Sequence, residues 1–149
     1  MTKPYNARAV AGLIAHTGSM CLLDRVIEHD AEHIVCRVIS HRDHDHPLRH
    51  GDRLPSTAAI EYGAQAMAAH GALGAMSVAG SSRALASPGM LAAARGIKFS
   101  VARLDDLAGD LTVTARALAR QSDGLIYDFS IDCDGAAIAS GRLTVMLLR

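Results

Sequence analysis

A glutamate on a helix that is otherwise nearly all apolar, with a histidine-crowded loop just ahead of it, is where this chain's residue types and spacing point to acid/base chemistry. The glutamate is Glu61, in the segment LPSTAAIEYGAQAMAAHGALGAM from Leu54 to Met76. A carboxylate is costly to bury without partners, so a core helix that carries one near its start is a functional-site candidate. Gln65 follows one turn later, at i+4 on the same face. Upstream runs HRDHDHPLRHGD, from His41 to Asp52. A neutral imidazole can take a proton near neutral pH, and a glutamate set in an apolar tunnel can supply one. His46 is the first candidate for the base, with His50 and His44 as rivals. Each also has a plainer explanation. Glu61 would complement the helix dipole, and the histidines would be exposed loop residues.

The elements that must position these groups follow from the pattern. Pro55 and the pair Ser56-Thr57 open the helix, with Ser56 as its expected N-cap, and alanine sustains it. Being apolar all round, it should be buried rather than amphipathic. Ahead of it, residues 7–14 suggest a short helix or turn, and HIVCRVIS (33–40) alternates as a strand. Behind it, SVAGSSRALASPGM (77–90) reads as a connection. GIKFSVARL (96–104), LTVTARALAR (111–120), LIYDFSIDC (125–133) and AAIASGRLTVMLL (136–148) then alternate as strands. Asp123-Gly124 and Asp134-Gly135 supply hairpin turns between them. A meander of long antiparallel strands and one apolar helix are both buried if the sheet curls around the helix. The expected class is α+β, a hotdog architecture, in one domain over residues 1–149.

Composition narrows the function. Fifteen basic and fifteen acidic residues give a net charge of zero, so no strong field draws the chain to nucleic acid or a membrane surface. Aromatic residues make up 3% with no Trp, too few for base-stacking platforms. Cys21, Cys36 and Cys133 show no CxxC spacing and read as reduced thiols of a cytoplasmic protein. The N-terminus carries no apolar run of secretory length. Glu61, Gln65 and His70 argue against the long helix as a membrane span. HRDHDH has the residue types of a metal motif in the wrong order. In an extended segment His44 and His46 would share one face, and Asp43 and Asp45 the other. No metal and no cofactor are therefore expected, and no phosphate loop or GxSxG is present.

PSTAAIEYGAQAMA resembles the helix start of 3-hydroxyacyl-acyl-carrier-protein dehydratases, with Pro55, Glu61 and Gln65 in register. AHTGSMCLLDRV (15–26) is similar to that family's N-terminal signature at His16, Leu23, Asp24, Arg25 and Val26. LLDRV, HPLR and RLPxxxxIEYxAQAM together resemble the divergent branch of aryl-polyene and related polyketide-type pathways. The resemblance implies dehydration of a 3-hydroxyacyl thioester, bound to acyl carrier protein or coenzyme A, to the enoyl thioester. Glu61 would be the acid and His46 the base. Backbone N–H groups at Ser56 and Thr57 would hold the enolate oxygen, and Gln65 would position Glu61 or the substrate. It further implies a homodimer or higher homo-oligomer, in which one subunit's histidine works with its partner's glutamate, or pairing with a related dehydratase subunit. Two departures stand out. The family's His-Phe-Pro-Gly loop reads HPLRHGD here, with His46 one residue before the expected place, and Ser56 replaces the glycine of a Pro-Gly pair. A thioesterase on the same fold and a non-catalytic partner subunit both remain open.

Overall fold

In the computed structural model, residues 20–79 and 89–147 are described. Among the described residues are six strands: β1 (Arg25–His29), β2 (His33–Val38), β3 (Gly89–Phe99), β4 (Leu111–Arg120), β5 (Gly124–Cys133) and β6 (Ala136–Leu147). Every pairing is antiparallel, in the order β1-β2-β4-β5-β6-β3. One face buries Ile34, Cys36 and Val38 from β2, Leu111, Val113 and Ala115 from β4, and Tyr127, Phe129 and Ile131 from β5. The helix α1 (Ala58–Ala79) lies on that face and contacts β2, β3, β4, β5 and β6. A straight helix touches so many strands when the sheet wraps it. This is the hotdog fold.

Small residues let α1 sit close. Gly63 faces the Phe129 ring and Leu143, and a Cβ there would lie 2.8 Å from Phe129 Cγ. Both neighbours are themselves buried and have little room to move. The β5–β6 hairpin turns at Asp134 and Gly135, with φ of 52° and 81°, which suits an Asp-Gly pair.

The structure departs from the sequence pattern at the sheet's edges. β1 follows the apolar run before Arg25, where the pattern showed charge rather than alternation. At the other edge, β3 begins at Gly89, within the expected connection, and ends at Phe99 rather than residue 104. Gly96 adopts φ 60° within an irregularity between Arg95 and Lys98, and this kink hides the strand's true extent. Residues 102–104 instead lie beside 54–56. The expected helix at 7–14 and His16 lie outside the described residues.

Gly63→Ala would gain about 1 kcal/mol of helix propensity and lose roughly 1–3 kcal/mol to overpacking. The expected net result is destabilisation, read as a lower urea midpoint than the wild type. A raised midpoint would contradict the close approach of α1 to β5.

Candidate active site

The histidine loop is a series of turns rather than an extended segment. Ser40–Arg42 forms a 3-10 turn. The His46 N–H then bonds the Asp43 carbonyl at 3.3 Å, and the Arg49 N–H bonds the His46 carbonyl at 3.1 Å. Pro47 sits second in the latter turn, where its fixed φ is favoured. This winding overturns the expected alternation of faces. His46 turns inward and is 5% exposed, while His44 and His50 face outward.

Loop 103–110 clamps the histidine loop. His41 is fully buried, with Nε2 3.0 Å from both the Leu107 and Gly109 carbonyls. Among the described residues its Nδ1 has no partner. Arg42 donates to the Ala108 carbonyl at 2.5 Å and to Asp110 at 2.7 Å. Asp105 accepts the Leu54 N–H at 2.8 Å, and the Arg103 guanidinium holds its carboxyl well below the usual carboxylate range.

The start of α1 is held by backbone bonds. The Ser56 N–H donates to the Ala102 carbonyl at 3.2 Å. N–H groups of Ala58, Ala59 and Ile60 donate to the carbonyls of Pro55, Ser56 and Thr57 at 3.0, 2.9 and 3.1 Å. The helix is therefore entered through i→i+3 bonds, not through the expected Ser56 side-chain cap. Because Ala102 takes the Ser56 N–H, the Thr57 N–H is, among the described residues, the donor left at the helix start for an anionic oxygen.

A hydrogen-bonded network connects the site residues. Gln65 Nε2 donates to Glu61 Oε1 at 3.2 Å and to the Met20 carbonyl at 2.7 Å, and its Oε1 accepts the Leu22 N–H at 2.9 Å. The Leu22 carbonyl accepts from Ser40 Oγ at 2.8 Å. Ser40 Oγ meets Tyr62 Oη at 2.9 Å, and Tyr62 Oη meets His46 Nε2 at 3.0 Å. His46 Nδ1 accepts the Leu48 N–H at 3.1 Å. Burial is the main cause that pushes the His46 imidazole below its ordinary value, with Asp43 opposing it. A pocket of about 280 Å³ is lined by Cys21, Leu22, Ser40, Asp43, Asp45, His46 and Pro47. Glu61 is half-buried and is not among those walls.

The structure thus links Glu61, Gln65 and His46 through Leu22, places Ser56 and Thr57 at the helix start, and leaves His44 and His50 at the surface. Sequence reasoning missed Tyr62 and Ser40. Tyr62 had one visible signal, a hydroxyl on an alanine-rich helix directly after the glutamate.

A curled antiparallel sheet on a long helix, with a carboxylate near the helix start, defines a hotdog protein of the kind that includes dehydratases and thioesterases. The model of the ApeP-like family (ApeP dehydratase) matches residues 8–148, and the chain belongs to that family. No curated protein matches it by sequence. Among solved structures it is similar to the dehydratase heterocomplex ApeI:P from Xenorhabdus doucetiae, with 25% identity, coverage of 94% of this chain and 91% of that one, and a TM-score of 0.81. It shares its fold with zebra fish thioesterase superfamily member 2 (15% identity, 95% of each chain, TM-score 0.61). It does so also with the E. coli PaaI protein (17% identity, 81% and 80%, TM-score 0.56).

Burial also sets a pH dependence. It pushes the imidazoles of His41, His46 and His70 below their ordinary 6.5. Below that value the unfolded chain binds protons that the folded chain refuses. This contribution is therefore complete above about pH 6.5 and lost as pH falls through the lowered folded values. The urea midpoint should drop between about pH 7.5 and pH 5.5, above the window where carboxylates titrate. A flat or rising midpoint over that interval would contradict three buried neutral imidazoles.

Proposed function

We propose that this dehydratase-family chain converts a 3-hydroxyacyl thioester, carried by acyl carrier protein or coenzyme A, to the trans-2-enoyl thioester. The observation that carries the reading is Glu61, a carboxylate on an apolar helix, oriented by a Gln65 amide whose remaining bonds are fixed by backbone. His46 Nδ1 takes the C2 proton, and the electron pair moves to the thioester oxygen. The Thr57 N–H, at the positive end of α1, holds that oxygen. The pair then returns to form the C2–C3 double bond. Glu61 protonates the departing 3-hydroxyl, which leaves as water. The proton on His46 finally returns to Glu61 through solvent, closing the cycle. None of these steps calls for a metal or redox group.

The site is read as shared between subunits, a homodimer or a pair with a related dehydratase. Edge strand β3, with Met90, Leu91 and Phe99 exposed, supports this, since an open apolar edge calls for a covering partner. The three free thiols fit a cytoplasmic protein, and no helix among the described residues is long and apolar enough to cross a membrane.

A second reading, a non-catalytic subunit that supports an active dehydratase, is favoured by one observation. Both His46 nitrogens are already hydrogen-bonded within the chain. The similar ApeI:P structure is itself a heterocomplex.

Assaying the protein alone, and mixed with a related dehydratase, on a 3-hydroxyacyl thioester separates these readings. The expected product is the enoyl thioester, with turnover reduced roughly 10²-fold or more in a folded Glu61→Gln variant. Release of a free thiol would make the chain a thioesterase. Product that requires the added dehydratase and is indifferent to Glu61→Gln would establish the supporting role.

A further inference from the structure

We propose that Tyr62 and Ser40 are positioning residues that fix His46 as the tautomer protonated at Nε2, which makes Nδ1 its basic nitrogen. The tautomer follows from the direction of each bond. The Leu22 carbonyl cannot donate, so the Ser40 hydroxyl gives its one proton there, at 2.8 Å. Toward Tyr62 the Ser40 oxygen must then accept, so the Tyr62 hydroxyl points its proton at Ser40, at 2.9 Å. Tyr62 Oη is left able only to accept, and the group facing it at 3.0 Å is His46 Nε2, which must carry hydrogen. The opposite side of the ring imposes the same answer. The Leu48 N–H points at Nδ1 from 3.1 Å, which requires a lone pair there. The other tautomer would set two N–H groups against each other at Nδ1 and waste an acceptor at Tyr62. Tyr62 is fully buried, so water does not compete for its hydroxyl.

The basicity of Nδ1 matters through the function proposed above, and this part of the inference rests on that reading. When Nδ1 takes the C2 proton, the C2–H bond breaks, an N–H bond forms, and the electron pair passes to the thioester oxygen. The Leu48 N–H must let go at that moment. Nε2–H stays on Tyr62, whose oxygen then stabilises an imidazolium instead of a neutral ring. The charged groups acting on His46 are Asp43, Asp45, Arg49 and the His41 imidazole. A change at Tyr62 or Ser40 leaves all of them in place.

The test begins with the unaltered full chain, labelled with ¹⁵N-histidine and observed by NMR above neutral pH. His46 should show a pyrrole-type Nε2 and a pyridine-type Nδ1. In Tyr62→Phe the Nε2–H loses its acceptor, and the spectrum should move to a mixture of tautomers. In Ser40→Ala the Tyr62 hydroxyl is free to turn toward Nε2, and the preference should weaken or invert. In turnover, Tyr62→Phe should lower kcat roughly tenfold or more with KM little changed, as for other residues that orient a working histidine. The acid limb of its pH profile should move to lower pH, because the imidazolium has lost its acceptor. A wild-type His46 protonated at Nδ1, or a Tyr62→Phe protein with unaltered tautomer and profile, would overturn the proposal. If the wild type forms no enoyl thioester in any assembly, the function proposed above fails, while the spectra still decide the tautomer.

Discussion

The peptide group of Leu22 is the constraint on which the rest of the site depends. It is buried, and both its polar atoms are taken by side chains from other elements: the N–H by Gln65 of α1, the carbonyl by Ser40 in the turn after β2. A buried peptide group left unpaired costs about 1–3 kcal/mol, so the segment before β1, the helix and the histidine loop are held in one arrangement. Gln65 uses the same amide to reach Glu61, and Ser40 the same hydroxyl to reach Tyr62. Moving either side chain would unpair Leu22, and this keeps Glu61 and His46 in fixed relation although neither touches the other.

Around that point the chain spends polar contacts on rigidity. The loop from Ser40 to Arg53 has no regular ladder to satisfy its backbone, and loop 103–110 provides carbonyls for His41 and Arg42. Residues 102–104 lie against 54–56 and take up the Ser56 N–H, which sets where α1 begins. The helix then needs small residues to reach the sheet, and at Gly63 it comes too close to Phe129 for a Cβ to fit unstrained. A second buried pair anchors the far half of α1. His70 Nε2 donates to the Asp30 carbonyl at 2.8 Å, and Nδ1 accepts from Tyr127 at 2.5 Å. Helix position, loop geometry and site geometry are thus consequences of one packed interior.

The central elements of this fold are legible in the sequence because their physics is local. β4 and β5 alternate cleanly and turn on Asp-Gly, and the alanine-rich helix has no competing period. The edges are less legible. In β3 the period breaks at Gly96, and β1 has too few residues for its alternation to show against flanking charge. The site divides the same way. Glu61 and Gln65 stand out as polar residues on an apolar helix. The inward turn of His46 depends on two successive turns in a loop whose residues suggested an extended run. Tyr62 reads as core filler until Ser40 is brought beneath its hydroxyl, a contact set by tertiary packing. The Ser56 cap failed for a related reason, since a strand-like contact with Ala102 decides how the helix is entered.

The central claim is that His46 and Glu61 divide the reaction, one removing the C2 proton and the other releasing the hydroxyl. The most direct measurement uses a saturated acyl thioester, which has a C2 proton but no 3-hydroxyl to lose. With the assembled protein in D₂O, NMR follows exchange of deuterium into C2. The account predicts exchange by the wild type, exchange retained in Glu61→Gln, and exchange lost in His46→Asn. Exchange that survives His46→Asn, or that disappears with Glu61→Gln, would contradict it.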